Sequence, residues 1–305
     1  MNAMPQYRQP VLIYNPTAGR FRRNPRRMLA HATAGLGRVG IVPRLIPTDS
    51  AGHATELAQE AVNSGADLML VLGGDGTINE VANGMALSDV PLGVLPGGTA
   101  NVLAMELGLG SHIERAAEWL ARCIPRRIAL GRITSGEPPA SRYFLLMCGA
   151  GFDARVVYDV DHRFKAAVGK MAYWWTGLSQ ITHSVEPLNV GVNGSGPHTC
   201  GFALLSRVRN YGGDLEIARG ASLLRDNFEI VTFEGSQPLR YAWYMSGVLF
   251  RCVESMPGVR VTASDRAEVL TQAHLQIDGE YVGRGPATIE LVPGALTLLI
   301  PPTYG

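Results

Sequence analysis

The amino-acid sequence predicts an N-terminal α/β domain with a doubly wound parallel sheet, followed by a mostly antiparallel, β-rich second domain. In the first part, short apolar segments alternate four times with segments whose apolar residues recur at helical spacing. Each apolar segment ends in a loop of small or polar residues, as expected where the carboxyl ends of parallel strands share one edge. After about residue 126 the pattern changes to short strands separated by turn residues.

The composition is that of a globular protein with an ample core, because 46% of the 305 residues are hydrophobic and 17% are charged. A net charge of +1 gives no reason to expect a nucleic-acid partner. The four cysteines lack CxxC spacing, which indicates reduced thiols. Residues 1–10 are polar and the apolar stretch 241–250 is too short to span a bilayer, so we expect a cytoplasmic protein.

The elements of the first domain are predicted in a regular order. Asn24 followed by Pro25 is typical of a helix start, because Asn caps free N–H groups and Pro fits the first helical position. The full order is strand 11–14, helix 24–35, strand 41–46, helix 54–62, strand 67–72, helix 78–86, strand 91–95, and helices 101–107 and 113–123.

The loop at residues 73–77 carries the main chemical signal. Its three glycines allow a tight turn that brings backbone N–H groups close to a phosphate. Thr77 is predicted to cap the next helix, with Glu80 completing a capping box, and the helix N-terminus favours an anion. A carboxylate among these donors, Asp75, indicates that a metal ion or a proton lies between it and the phosphate.

A second glycine loop, at residues 97–101, follows the next strand and also opens a helix. Two such loops at one sheet edge favour a ligand site over a simple tight turn. Arginines cluster around both ends of the domain, and the sequence leaves open whether they are a solvated face or phosphate contacts. These are Arg20, Arg22, Arg23, Arg26 and Arg27, and then Arg122, Arg126 and Arg127.

The second domain is predicted from its strands and turns, with a sandwich or open barrel as the architecture. We expect the first domain to span residues 1–130 and the second 131–305, with the extreme C-terminus packing back on the first. Helices are predicted at about 154–175 and 241–252. The predicted strands are 127–133, 142–148, 188–192, 199–205, 228–233, 259–263, 273–277 and 288–291.

Taken together, the motifs resemble those of the bacterial soluble diacylglycerol kinase-like lipid kinases, whose catalytic domain sphingosine and ceramide kinases share. The motifs are NPTAG at 15–19, GGDGTINEVANG at 73–84 and LPGGTAN at 95–101, with weaker ones at 149–154 and 278–280. The resemblance covers nearly the whole chain. It implies a nucleotide-binding α/β domain like that of phosphofructokinases and NAD kinases, then a β-rich domain.

Site residues follow from the same resemblance. Asp75 would organise Mg²⁺ and the γ-phosphate of ATP, and Glu280 would be the general base that deprotonates the lipid hydroxyl. The residues implied in nucleotide binding are Asn15, Thr48, Gly73, Gly74, Asp75, Gly76, Thr77, Ile78, Asn79, Gly97, Gly98, Thr99 and Asn101.

The chain departs from the family pattern at several positions. Ala129 stands where many members have an Asp of an acidic network, and Arg20 stands where many have a Lys. A structural Mg²⁺ site is implied at Asp226 with main-chain oxygens of Leu223 and Phe228. Asp278 is a further candidate metal ligand.

The resemblance implies an ATP- and Mg²⁺-dependent kinase that phosphorylates a hydroxyl of diacylglycerol or a related lipid at the membrane surface, to which the protein would be peripheral. Two alternatives stay open: a kinase for a soluble acceptor such as NAD, and a nucleotide-binding protein with little catalysis, motivated by Ala129. Aromatic residues at 171–175 and 241–245 fit either core packing or the membrane interface, with Lys165 and Lys170 nearby. Whether the chain forms a homodimer, and which lipid it takes, stay open.

Overall fold

The computed structural model describes residues 7–305 except 20, 153, 156, 158–184, 195 and 213–214, and the backbone alone of Arg23 and Pro238. The chain divides into two compact units. The first contains Met1–Leu130 and Pro293–Gly305, and the second contains Gly131–Val292.

The first unit is a parallel sheet flanked by helices. The strands lie in the order β2, β1, β3, β4, followed by the last part of β18, which pairs in parallel with β4. The elements are β1 Pro10–Tyr14, α1 Pro25–Arg38, β2 Arg44–Pro47, α2 His53–Asn63, β3 Leu68–Gly73, α3 Asp75–Gly84, β4 Pro91–Pro96, α4 Val102–Glu106 and α5 Ile113–Leu120. A 3₁₀ helix at Phe21–Arg23 precedes α1.

Strand β3 lies at the centre of this sheet, and all six of its residues are buried. Its sequence is a continuous apolar run, as expected for a parallel strand covered on both faces. The structure therefore confirms the predicted α/β class. The predicted start of α1 is also confirmed, because the Oδ1 atom of Asn24 accepts a hydrogen bond of 3.3 Å from the N–H of Arg27.

The predicted capping box at Thr77 and Glu80 is wrong. Helix α3 begins earlier, with Gly74 at its N-cap, so Thr77 lies buried in the first turn. The Glu80 carboxylate instead accepts hydrogen bonds from the N–H groups of Gly52 and Ala54, at 2.9 and 3.2 Å. It therefore caps the neighbouring helix α2, which has no side-chain cap of its own.

The second unit consists of antiparallel strands. A six-stranded sheet has the order β14, β13, β10, β7, β16, β17, and a second group places β18, β15, β8 and β9 side by side, with the β5–β6 hairpin joined to β18. Its elements are β5 Ile124–Ser135, β6 Ala140–Phe144, β7 Met147–Gly151, β8 Leu188–Val192, β9 His198–Cys200, β10 Phe202–Ser206, β11 Asn210–Tyr211, β12 Leu215–Glu216, β13 Phe228–Phe233, α6 Pro238–Leu249, β14 Val259–Ser264, β15 Arg266–Val269, β16 His274–Ile277, β17 Glu280–Arg284 and β18 Ala287–Ile300.

The core of this unit contains apolar side chains from both groups of strands, among them Phe144, Leu205, Phe228, Leu275 and Ile289. The rings of Phe144 and Phe228 stack with their centroids 5.7 Å apart. The predicted antiparallel, β-rich class is confirmed.

Two of the predicted strands are each two strands in the structure. The segment 142–148 breaks between β6 and β7, where the N–H groups of Leu145 and Leu146 turn to the Asp278 carboxylate. The segment 199–205 breaks at Gly201, where a Cβ atom would lie 2.6 Å from the carbonyl oxygen of Gly235. Strand β15 was not predicted, because its residues Arg-Ala-Glu-Val carry only a weak alternating pattern.

Most of the predicted helix 154–175 lies outside the described residues. Across the described parts of the chain, none of the helices combines the length and the apolar character needed to cross a bilayer.

Candidate functional site

Two glycine loops of the first unit pack directly against each other. The loop after β4 joins the end of β3 through a hydrogen bond of 2.9 Å from the N–H of Gly97 to the carbonyl of Gly73. A Cβ atom on Gly98 would collide with the Cα atom of Gly74, and one on Gly97 would lie 3.0 Å from the Gly73 nitrogen. Only glycine allows this backbone approach, so the two predicted phosphate loops form one surface.

The loop after β1 joins the same surface. The side-chain amide of Asn15 donates to the Thr77 hydroxyl at 3.2 Å. A Cβ atom on Gly19 would collide with the Thr99 hydroxyl and lie 3.2 Å from the Thr99 nitrogen. The structure therefore brings together residues from the three N-terminal motifs, at the carboxyl ends of three adjacent strands.

Asp75 links the two glycine loops through its carboxylate. Its Oδ2 atom accepts from the N–H of Val102 at 3.0 Å, and its Oδ1 atom accepts from the N–H of Leu103 at 3.2 Å. Burial raises the pKa of Asp75, and hydrogen bonds from backbone N–H groups, including that of Asn101, oppose the shift. Asp75, the first residue of α3, thus places its carboxylate against the N-terminus of α4.

Sequence reasoning missed this link between Asp75 and α4. Asn101, at the N-cap of α4, has a left-handed backbone with φ of 52° and gives the helix no side-chain cap. Its side chain instead holds the loop, since Oδ1 accepts from Gly98 N at 2.8 Å and Nδ2 donates to Gly98 O at 3.0 Å. The only sequence signal was that two helices each begin at a glycine loop.

The remaining predicted nucleotide residues lie around these loops. Thr48 is buried directly after β2, and its N–H donates to the Tyr14 carbonyl at 2.9 Å. Ile78 and Asn79 are buried within α3, where the side-chain amide of Asn83 donates to the Asn79 Oδ1 atom at 3.0 Å. Their burial means that any contact of Ile78 or Asn79 with a nucleotide is limited to a small exposed part.

The surface has the chemistry of a phosphate site. The N–H groups of the first helical turn have no acceptor earlier in the helix, and the macrodipole adds partial positive charge at the N-terminus of α3. In the described part of the chain no three His, Cys, Asp or Glu side chains gather. A Mg²⁺ ion held by one carboxylate together with phosphate oxygens of a substrate needs no such cluster.

In the second unit, a two-residue turn joins β16 to β17. Asp278 and Gly279 both have positive φ, at 49° and 83°, and Ile277 pairs with Glu280. The Asp278 carboxylate accepts from the N–H groups of Leu145, Leu146 and Met147 at 2.8, 2.8 and 2.9 Å. Asp278 therefore ties this turn to the start of β7.

Glu280 follows the turn and opens β17. Its Oε2 atom lies 3.1 Å from the Nη2 atom of Arg142, and 40% of its side chain is exposed. The carboxylate is therefore open to solvent on one side and held by a cation on the other.

The residues of the predicted structural metal site lie in the loop before β13 and at the first residue of that strand. The Asp226 side chain is exposed, whereas the Phe228 side chain is buried in β13. The carbonyl oxygen of Leu223 accepts a hydrogen bond of 2.9 Å from the guanidinium of Arg207.

A cavity of about 230 Å³ lies in the second unit, beside the end of β7 and the start of β16. Arg155, Glu186 and His274 contribute to its lining.

The aromatic residues of α6 divide between core and surface. Tyr241 and Tyr244 are buried, and their hydroxyls donate to backbone carbonyls of Gly235 and Glu234 at 2.9 and 3.0 Å. Trp243 is 44% exposed. Lys165, Lys170 and the aromatic residues at 171–175, like Arg20, lie outside the described residues.

Comparisons with known proteins give a consistent result. Residues 9–133 match the family model "Diacylglycerol kinase catalytic domain". A diacylglycerol kinase of Bacillus subtilis (strain 168) is 30% identical over 285 residues, covering 90% of each chain. A diacylglycerol kinase of Staphylococcus aureus (strain bovine RF122 / ET3-1) is 27% identical over 283 residues, covering 90% of this chain and 87% of the relative.

Solved structures share the fold. A structure from Bacillus anthracis str. Sterne has a TM-score of 0.81 at 23% identity and covers 99% of this chain and 98% of that one. A second, described as a diacylglycerol kinase from the same organism, has a TM-score of 0.73 at 20% identity and covers 99% and 100% of the two chains.

Proposed function

The chain belongs to the diacylglycerol kinase family and is a lipid kinase, and we propose that it transfers the γ-phosphoryl group of ATP, with Mg²⁺, to a hydroxyl of diacylglycerol or a closely related lipid. The observation that carries this proposal is the convergence of the two glycine loops around Asp75. Phosphoryl transfer needs positioning and charge stabilisation more than covalent chemistry, and this surface supplies both.

The phosphates of ATP would lie on the loops at 73–77 and 97–101. Bare glycine backbone permits close approach, and the N-terminus of α3 favours the negative charge. Asn15 and Thr99 border the same surface and offer hydrogen-bonding groups to it. The loops are held in place by the Asn101 side chain, so little reorganisation is needed when phosphate binds.

Asp75 fits a magnesium ion that arrives with the nucleotide. A carboxylate has about four acceptor positions; the N–H group of Val102 takes one on Oδ2 and that of Leu103 takes one on Oδ1. When bound, Mg²⁺ would neutralise negative charge on the transferred phosphoryl group. Asp75 would orient the phosphates through it while also fixing the start of α4.

Glu280 would act as the general base for the acceptor hydroxyl. It is a solvent-accessible carboxylate, and its position at the head of β17 is fixed by a two-residue turn that Asp278 anchors. Arg142 holds its Oε2 atom and leaves the other oxygen available to accept a proton. A base of this kind contributes typically about 10²–10⁴-fold to a rate.

The acceptor is a lipid, so we further propose that the protein contacts the bilayer through one face of α6. Leu239, Trp243, Leu249 and Phe250 point to solvent there, with 80%, 44%, 63% and 81% exposure. Trp at an apolar face is suited to the membrane interface, and the exposed Arg251 beside Phe250 would meet anionic headgroups. The opposite face of the helix, with Tyr241, Tyr244 and Val248, is buried.

One assay tests the proposed reaction. Purified protein is incubated with γ-labelled ATP, Mg²⁺ and mixed micelles that contain diacylglycerol, monoacylglycerol or ceramide, with NAD in a micelle-free arm. We expect label in the organic phase with diacylglycerol or a related lipid. Label in NAD alone would replace the lipid acceptor by a soluble one. Absence of label in every arm, with ATP binding intact by calorimetry, would reject the proposed activity for these acceptors.

A further inference from the structure

A fully buried arginine lies at the loop where a structural metal was expected. Arg207 directly follows β10 and has 0% exposure. Its Nη2 atom donates to the Leu223 carbonyl at 2.9 Å, and its Nη1 atom donates to the Asn227 carbonyl at 3.1 Å and to the Arg225 carbonyl. One guanidinium thus binds three carbonyls of a five-residue segment.

These carbonyls belong to alternate residues, which means that the segment 223–227 is curled so that its oxygens point inward. Such a backbone shape is typical of a loop that wraps a cation, because carbonyl oxygens are the ligands of hard cations such as Ca²⁺ and Mg²⁺. In this chain the cation is the guanidinium of Arg207, a planar group with a permanent positive charge and several N–H donors. The segment leads directly into β13, which lies between β14 and β10 in the six-stranded sheet.

The residues present do not fit the Mg²⁺ ion that the family resemblance implies. That site would need the carbonyl oxygen of Leu223, which the guanidinium of Arg207 already binds. It would also need the carboxylate of Asp226, whose side chain is exposed at the surface of the protein. A divalent ion placed against the same carbonyls would be repelled by the buried guanidinium at short range.

We propose that Arg207 replaces the structural metal ion in this chain. The guanidinium performs the task that a bound cation would perform: it neutralises the inward carbonyl dipoles and fixes the loop that precedes β13. The loop 223–227 is therefore held in place without a divalent metal ion. This inference concerns the loop 223–227 and holds whatever lipid the protein phosphorylates.

The test is thermal unfolding of the full-length chain, followed by circular dichroism without nucleotide. Protein treated with EDTA and desalted is compared with the same protein in millimolar Mg²⁺. We expect the same Tm in both, within about 1 °C, and no stoichiometric magnesium or calcium by elemental analysis. A rise in Tm with Mg²⁺ that Asp226→Asn removes would overturn the proposal, because it would place a metal at this loop.

Two variants address the role of the guanidinium itself. Arg207→Met keeps the approximate length of the side chain and removes the guanidinium that donates to three carbonyls, so we expect Tm to fall by about 5–10 °C. Arg207→Lys keeps the positive charge and lacks the planar fork of donors, so its Tm should fall by less than that of Arg207→Met. Arg266→Met is the matched control, because Arg266 is exposed and its guanidinium pairs with the exposed carboxylate of Glu268; its Tm should stay within about 1 °C of wild type. An unchanged Tm in Arg207→Met contradicts the assigned role. If Arg207→Met does not fold, the Tm of Arg207→Lys and the Mg²⁺ comparison on wild-type protein still test whether Arg207 replaces the metal ion.

Discussion

The carboxylate of Asp75 has two roles, and the sequence motif indicates only the first of them. It is the acidic residue of a phosphate loop, and it is also the acceptor for two N–H groups at the start of α4. Removing it therefore changes the loop geometry as well as the charge. A substitution that keeps an acceptor oxygen separates these two tasks better than alanine does.

Asp75→Asn is expected to lower kcat by at least about 100-fold, because the charge that orients the metal and phosphates is lost. Its free energy of unfolding should fall less than that of Asp75→Ala, which leaves two partly buried N–H groups without an acceptor and should cost about 2–4 kcal/mol. Urea unfolding measures the stability change, and steady-state kinetics measure kcat.

Asp67→Asn is the control, since Asp67 accepts the N–H groups of Arg8 and Gln9 at 2.5 and 2.9 Å. It should lose stability and keep kcat. Wild-type turnover in Asp75→Asn would refute the role in phosphoryl transfer.

Glu280→Gln is expected to lower kcat by about 10²–10⁴-fold with little change in KM for ATP, because glutamine cannot take the proton of the acceptor hydroxyl. Its Tm should stay within about 2 °C of wild type, since an exposed ion pair contributes about 0–1 kcal/mol. Glu268→Gln, which breaks the comparable exposed pair with Arg266, should keep both properties. If the two variants turned over alike, Glu280 would not be the base.

At the scale of elements, the site depends on how closely two loops approach. Gly73 and Gly74 end β3 and begin α3, Gly97 and Gly98 follow β4, and the backbones touch. Parallel pairing of β3 with β4 sets this distance, since Gly73 lies opposite Pro96 at the end of the ladder. At Gly98 a side chain larger than hydrogen has no room, because its Cβ atom would collide with the Cα atom of Gly74.

Gly98→Ala should reduce ATP affinity by at least about tenfold, because its Cβ would collide with the Gly74 backbone and force the loops apart. Isothermal titration calorimetry with ATP and Mg²⁺ measures the affinity. Gly37→Ala is the control in the same unit: Gly37 lies within α1 with nothing near its Cβ position. That change should leave affinity intact and raise stability by up to about 1 kcal/mol. Equal ATP affinities for Gly98→Ala and wild type would show that the loops do not form the phosphate site.

The exposed face of α6 makes a separate prediction. The double variant Trp243→Ser, Phe250→Ser should bind phosphatidylglycerol vesicles at least about tenfold more weakly in a sedimentation assay, because two large side chains no longer enter the interface. Leu87→Ser, an equally exposed position of the first unit, should bind as wild type does. Turnover on a short-chain, water-dissolved lipid should be unchanged in both. Undiminished vesicle binding in the double variant would remove α6 from the proposed membrane contact.

At the scale of the whole molecule, sequence patterns were enough for the fold class and not for the contacts between distant residues. The apolar run 68–72 forms a buried strand as predicted, because strand signals are local. Glu80 was misassigned because its partners, Gly52 and Ala54, come from another helix. The links from Asp75 to Leu103 and from Arg207 to Leu223 were missed for the same reason: no periodicity marks a hydrogen bond across a loop.

The first unit needs the end of the chain. Residues 293–305 supply a strand beside β4, with Thr297 opposite Pro91, and the Ala295 carbonyl accepts from Leu87 N at 2.7 Å. A chain that ends at residue 292 should therefore lose ATP binding, although it retains every predicted nucleotide residue. Calorimetry and circular dichroism measure this loss, and adding back a synthetic peptide of residues 287–305 should restore part of it. Full ATP affinity in the truncated chain would contradict the dependence.

The split of the first unit between residues 1–130 and 293–305 also constrains how the protein is made. On the ribosome, β4 emerges early and its neighbour in the sheet emerges only after the whole second unit has been synthesised. For that interval β4 is an edge strand with apolar residues, the kind of surface that attracts other nascent chains. At the 5–20 residues per second typical of translation, roughly ten seconds or more pass before the edge is covered. We therefore expect the β4 edge to stay exposed during synthesis until residues 293–305 pair with it.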